Sequence, residues 1–179
     1  MGKILFQEKQ KFNQKWLLSI MVLANLSAFT PLIMGIYYQF YLEKPWGNQP
    51  MSDSGLLIVT ILIMLIFLTL DFVVFKIQLE TEIKDHQIFY KYFPFIQRYK
   101  SHQREEIESY YIKENLSFWK FGGYGYKKNI FKKTTKILVS GRSALILKLK
   151  NGKTLILGTN NPETLRSAMV KMMTKENDY

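Results

Sequence analysis

The side chains from which catalytic centres are built are sparse in this chain. Its 179 residues include two histidines, His86 and His102, and no cysteine. Neither a Gly-x-Ser-x-Gly elbow nor a His-Glu-x-x-His pair occurs. Nucleophilic and metal chemistry need several ligands that converge on one point. The reading is therefore a protein that is not an enzyme, with no catalytic residue, no metal ligand and no cofactor. The acidic run Glu105, Glu106 and Glu108 reads as solvated strand or turn surface. The glycine-rich run Phe121 to Tyr126 lacks the Gly-Lys-Ser/Thr of a phosphate-binding loop and is not followed by a helix, so its glycines read as backbone permissiveness.

One cluster points to a chemistry of recognition. Lys127, Lys128, Lys132, Lys133 and Lys136 fall within ten residues, interleaved with Tyr126, Ile130 and Phe131. Lysines close to an anionic leaflet gain about 1 kcal/mol each. These five are the candidate lipid-binding residues, and anionic lipid headgroups are the candidate ligand. Nucleic acid is a poor fit, because a membrane anchor would keep the cluster away from it.

The anchor is read from Gly55 to Phe75, twenty-one residues with one charge, Asp71. A helix of that length spans about 30 Å, the thickness of a bilayer's hydrocarbon core. Trp16 to Leu42 is a second uncharged run, with Trp16 and Tyr37, Tyr38 and Tyr41 placed as interfacial aromatics. Pro31 interrupts it, and Asn25, Ser27 and Thr30 are suited to bond across to the second span. Asp71 lies near the inner end of its span and reads as structural, reaching the interface or the first helix. Residues 43–54, with two prolines and a glycine, link the two spans.

Charge sets the expected orientation. The chain carries 25 Lys/Arg against 14 Asp/Glu, and most of the excess lies after residue 75. Basic flanks stay cytoplasmic, so both termini are expected inside a cell (inner) membrane and the 43–54 link outside. Residues 1–15 read as a polar cytoplasmic lead-in whose aromatics sit at headgroup level. Gly2 is not followed by the Ser or Thr that myristoylation requires, since Phe6 holds that position.

Residues 76–179 read as a cytoplasmic β-domain. Period-two alternation predicts strands over 77–84 and 88–93, weaker ones over 97–103 and 104–113, and further strands over 134–139, 144–150 and 153–157. Asn151-Gly152 predicts a tight hairpin. Asn161 as N-cap, Pro162 at the first helical position and Glu163 beside it predict a C-terminal helix, in which Leu165, Ala168 or Met169, and Met172 or Met173 recur at helical spacing as a core-facing stripe.

Four stretches carry a resemblance: Phe121-Gly122-Gly123-Tyr124-Gly125-Tyr126, Val139-Ser140-Gly141, Leu147 to Lys153, and Leu157-Gly158-Thr159-Asn160-Asn161-Pro162-Glu163. With the opening Phe6-x-Glu8-x-Gln10-x-Phe12, they resemble uncharacterised bacterial membrane proteins that have two transmembrane helices and a C-terminal domain like a pleckstrin-homology (PH) domain. The chain departs from that pattern at Tyr124, where the family usually has Trp, and at Tyr126-Lys127, where it has Ile-Arg. The resemblance implies an α+β membrane protein: a two-helix transmembrane hairpin, then an antiparallel PH-like barrel or sandwich closed by a helix. It implies no enzymatic activity. Two functions follow as expectations: a membrane-anchored binding module for anionic headgroups, or a protein-interaction subunit that binds a membrane protein partner.

Overall fold

The computed structural model describes residues 3–12, 14–117 and 123–174. Gly2, and Phe121-Gly122 of the glycine-rich run, lie outside the described residues. The chain is α+β and divides into two compact units. One holds residues 13–75. The other joins residues 1–12 to residues 76–179.

The first unit contains α1 (Lys15–Ile36), a π-helical turn over Tyr37–Tyr41, and α2 (Asp53–Lys76). Both helical segments are long and apolar enough to cross a membrane, and their apolar windows are not buried inside the protein. They are tied together by side chains. Asn25 Nδ2 donates to Asp71 Oδ2 at 3.2 Å, and Phe29 meets Phe67 edge-on with ring centroids 5.5 Å apart. Asp71 and Asn25 thus take the cross-helix role expected of them. Thr30 instead bonds its own helix at Leu26 O. At the other end Gly35 is buried, and a Cβ there would come within 2.9 Å of the Trp46 ring.

The second unit is built from two sheets and a helix. A meander of β1 (Ile4–Lys11), β2 (Gln78–Lys84), β3 (Gln87–Phe93) and β4 (Ile96–Gln103) forms a four-stranded antiparallel sheet in that order. The other sheet contains β5 (Ile107–Lys113), β6 (Gly125–Asn129), β7 (Thr134–Leu138), β8 (Ser143–Leu149) and β9 (Thr154–Thr159), in the order β5-β8-β9-β7-β6. Helix α3 (Pro162–Thr174) packs on β1, β2 and β8. Leu79, Ile83, Ile88, Leu145, Leu147 and Leu157 from the sheets meet Leu165, Ala168, Met169 and Met172 of α3 in one core. The expected helical stripe is therefore a core face.

Two expectations are corrected. The barrel was expected to be antiparallel throughout, but β7 and β9 pair in parallel. This follows because the β8–β9 hairpin docks beside β7 with β9 inward. Residues 1–15 were expected as a lead-in at headgroup level, but residues 4–11 are a strand of the folded domain. Its inner face carries Phe6, Glu8 and Gln10, all buried, so the usual apolar alternation is missing from the sequence.

Those polar residues are matched by partners far along the chain. Glu8 accepts from Thr159 Oγ1 at 2.7 Å and from the Asn160 amide at 2.8 Å. Gln10 Nε2 donates to Gly158 O at 2.8 Å, and Ser140 Oγ lies 3.4 Å from Gln10 Oε1. Gly141 has φ +80°, and a Cβ there would sit 2.8 Å from Thr159 O, so the turn admits only glycine without displacement. The opening motif, the Val-Ser-Gly turn and the segment before α3 thus meet in one buried polar junction. Buried polar groups are stable only when bonded.

The two apolar helices are consequently an insertion inside a β-hairpin: Lys11 lies opposite Gln78, so the chain leaves and re-enters the sheet at neighbouring points. Joining Phe12 to Ile77 through Asn-Gly should give a folded chain that needs no detergent, while residues 76–179 alone, lacking β1, should not fold. Circular dichroism and amide dispersion of the two products check this. Glu8→Ala strands the Thr159 hydroxyl and the Asn160 amide; the expected loss is about 2–4 kcal/mol, with a smaller loss for Glu8→Gln, read from unfolding of the detergent-solubilised full chain.

Candidate lipid-contact surface

The lysine cluster is a β-hairpin. β6 and β7 pair antiparallel, with Lys127 opposite Lys136 and Lys128 opposite Thr135. The tip is the four-residue turn Ile130 to Lys133, closed by Lys133 N donating to Ile130 O at 3.2 Å and by Asn129 Oδ1 accepting from Lys132 N. Lys133 takes a left-handed φ of 47° to make the turn. Two apolar side chains stand out at the tip: Phe131 is 100% exposed and Ile130 77%. Lys127, Lys128, Lys132 and Lys133 flank them, all exposed, around an open groove.

Lys136 separates from the other four. It is 9% exposed, lying between Lys127 on β6 and Ile156 on β9. Burial pushes its pKa below the ordinary lysine value, and the Lys127 charge adds to that shift. The reason is register: the inner strand β7 is covered on both sides, whereas β6 is an outer strand. Of the five candidate lysines, the structure presents four at the surface.

Parallel pairing adds lysines that sequence spacing does not reveal. Thr134 lies opposite Thr154, and Thr154 N donates to Lys133 O at 3.0 Å. The 130–133 tip and the 150–153 turn therefore sit side by side, and exposed Lys150 and Lys153 join the same end of the sheet. Gly152, at φ +74°, makes the second turn as Asn151-Gly152 predicted. Glu105 and Glu108 are exposed near the start of β5, and Glu106 pairs with His102 at 2.8 Å.

The base of the hairpin is aromatic. Tyr126 stacks on Phe95 at 5.9 Å and on Tyr92 at 6.1 Å, and Tyr124 meets Phe12 at 6.3 Å. Tyr92 is buried, which pushes its phenol up to about 12. Phe95, on the turn between β3 and β4, is 62% exposed. The end of β1, the start of β2 and the β3–β4 turn all lie at one end of the four-stranded sheet. Tyr124 beside Phe12 and Tyr126 beside Phe95 set the base of the hairpin across that end.

No protein-family model, no curated protein and no solved structure matches this chain. The surface's own chemistry, four exposed cations around two exposed apolar side chains, is what bears on function.

Lys136 supplies a pH test. Its folded-state pKa is depressed, so the folded chain binds fewer protons than the unfolded one between that depressed value and 10.5. Stability should rise with pH through that window, and Lys136→Met should remove the rise relative to wild type. Melting temperatures of the two proteins from pH 8 to 10 check the sign.

Proposed function

We propose that this protein is a membrane-anchored, non-catalytic binding module. In this reading α1 and α2 form the anchor in a cell (inner) membrane, and the β-domain is a PH-like module that contacts anionic lipid headgroups through Lys127, Lys128, Lys132 and Lys133. The observation that carries it is the β6–β7 tip, where a fully exposed phenylalanine stands among four exposed lysines. Water is a poor environment for Phe131, while a charged leaflet suits both residue types. Four lysines at about 1 kcal/mol each are a weak attraction in free solution, but tethering raises the effective concentration of the surface.

Chain path supports placing both termini on one side of the membrane. β1 precedes α1, β2 follows α2, and the two strands pair along their length. That pairing supports a reading in which the residues on either side of the hairpin share a compartment and the number of crossings is even. The excess of Lys/Arg over Asp/Glu outside the apolar segments supports the cytoplasmic side.

A protein-interaction subunit is the second reading. It is favoured by β4, an outer strand with mostly exposed side chains, which offers a free edge for strand addition. Crosslinking from β4 in native membranes that captures another membrane protein would favour it over lipid contact.

The lipid reading is tested on the full chain in nanodiscs. Backbone amides of residues 125–136 should exchange hydrogen several-fold more slowly in phosphatidylcholine–phosphatidylglycerol discs than in phosphatidylcholine alone. High salt, or replacement of the four exposed lysines by glutamine, should erase the difference. Equal exchange in the two lipids at low salt overturns it.

A further inference from the structure

We propose that the β6–β7 tip is a wedge: Phe131 and Ile130 enter the acyl border of an anionic leaflet. This deepens the lipid-contact reading and rests on it. The headgroup reading asks only that lysines approach the phosphates, whereas the wedge places apolar side chains beneath them.

Two observations converge. The first is exposure: Phe131 has no covered surface at all, and Ile130 beside it keeps 77% of its own. A hydrophobic pair at a turn tip costs solubility unless it is covered. The second is the charge around the pair. Exposed Lys127, Lys128, Lys132 and Lys133 flank it, and the parallel pairing of β7 with β9 brings exposed Lys150 and Lys153 to the same end of the sheet. Apolar side chains ringed by cations match the surface and acyl border of an anionic leaflet.

The arrangement has a functional consequence. A wedge of this kind makes contact by the β-domain depend on the composition of the leaflet it meets. Loss of anionic lipid would release the tip while the anchor stays in place.

The chain has no cysteine, so single-cysteine spin labels report without background. Phe131→Cys alters a fully exposed side chain and leaves the core untouched. Ser167→Cys, on the exposed side of α3, is the control. Both are made in the full chain and placed in phosphatidylcholine–phosphatidylglycerol nanodiscs. Collision with oxygen, which partitions into acyl chains, is compared with collision with a water-soluble nickel chelate. The oxygen-to-nickel ratio at residue 131 should exceed that at residue 167 at least threefold, and should fall when the four exposed lysines become glutamine. Equal ratios at the two positions overturn the wedge, and slowed amide exchange in anionic discs would then leave the headgroup reading standing alone. A high ratio at residue 131 that is the same in pure phosphatidylcholine upholds the wedge and removes the headgroup preference.

Discussion

The pairing of β1 with β2 is the constraint on which the rest depends. Two strands separated in sequence by a pair of apolar helices are neighbours in one sheet, from Ile4 opposite Lys84 to Lys11 opposite Gln78. Without β1, Phe6 leaves the core and the outer strand of the four-stranded sheet is lost. Thr159 and Gly158 lose the side chains that satisfy them. The helices are thus inserted into the fold rather than appended to it. Strand pairing across so long an interval carries a loop-closure cost that no tight turn offsets, so it relies on side-chain matching. The Glu8 and Gln10 bonds supply that matching.

The polar junction explains why short motifs spread across the chain behave as one unit. Phe6-x-Glu8-x-Gln10 brings the acceptor and donor. Ser140-Gly141 brings a hydroxyl and a turn with no room for a Cβ. Gly158-Thr159-Asn160 brings the complementary groups immediately before α3. The carboxylate of Glu8 also lies where α3 begins, the end of a helix that favours negative charge. Stability here comes from bonds in a buried place, where leaving one unmade is costly.

The proposed contact surface follows from a different feature, the difference between inner and outer strands. Lys136 sits on inner β7 and is covered. Lys127 and Lys128 sit on outer β6 and are not. Lysines on an outer strand also discourage edge-to-edge association of copies, so the cationic edge has a role in the fold apart from the proposed contact. What the edge role leaves unexplained is Phe131, which protects nothing and is protected by nothing within the β-domain.

Much of the architecture was legible in the residues because it depends on local periodicity. Twenty-one nearly uncharged residues, the alternation over Gln78–Lys84, the Asn-Gly turn and the Asn161-Pro162 helix start are each short-range signals, and each element is found where expected. The lysine run and its aromatic neighbours were equally visible. Tertiary structure decided what these signals omit. It made residues 4–11 a strand, because their inward side chains are polar and find partners some 150 residues away. It buried one lysine of five and brought Lys150 and Lys153 to the others, because a parallel pair of strands joins segments that no local pattern connects. Composition and period set which elements form; long-range hydrogen bonds and sheet order set which of their side chains meet water.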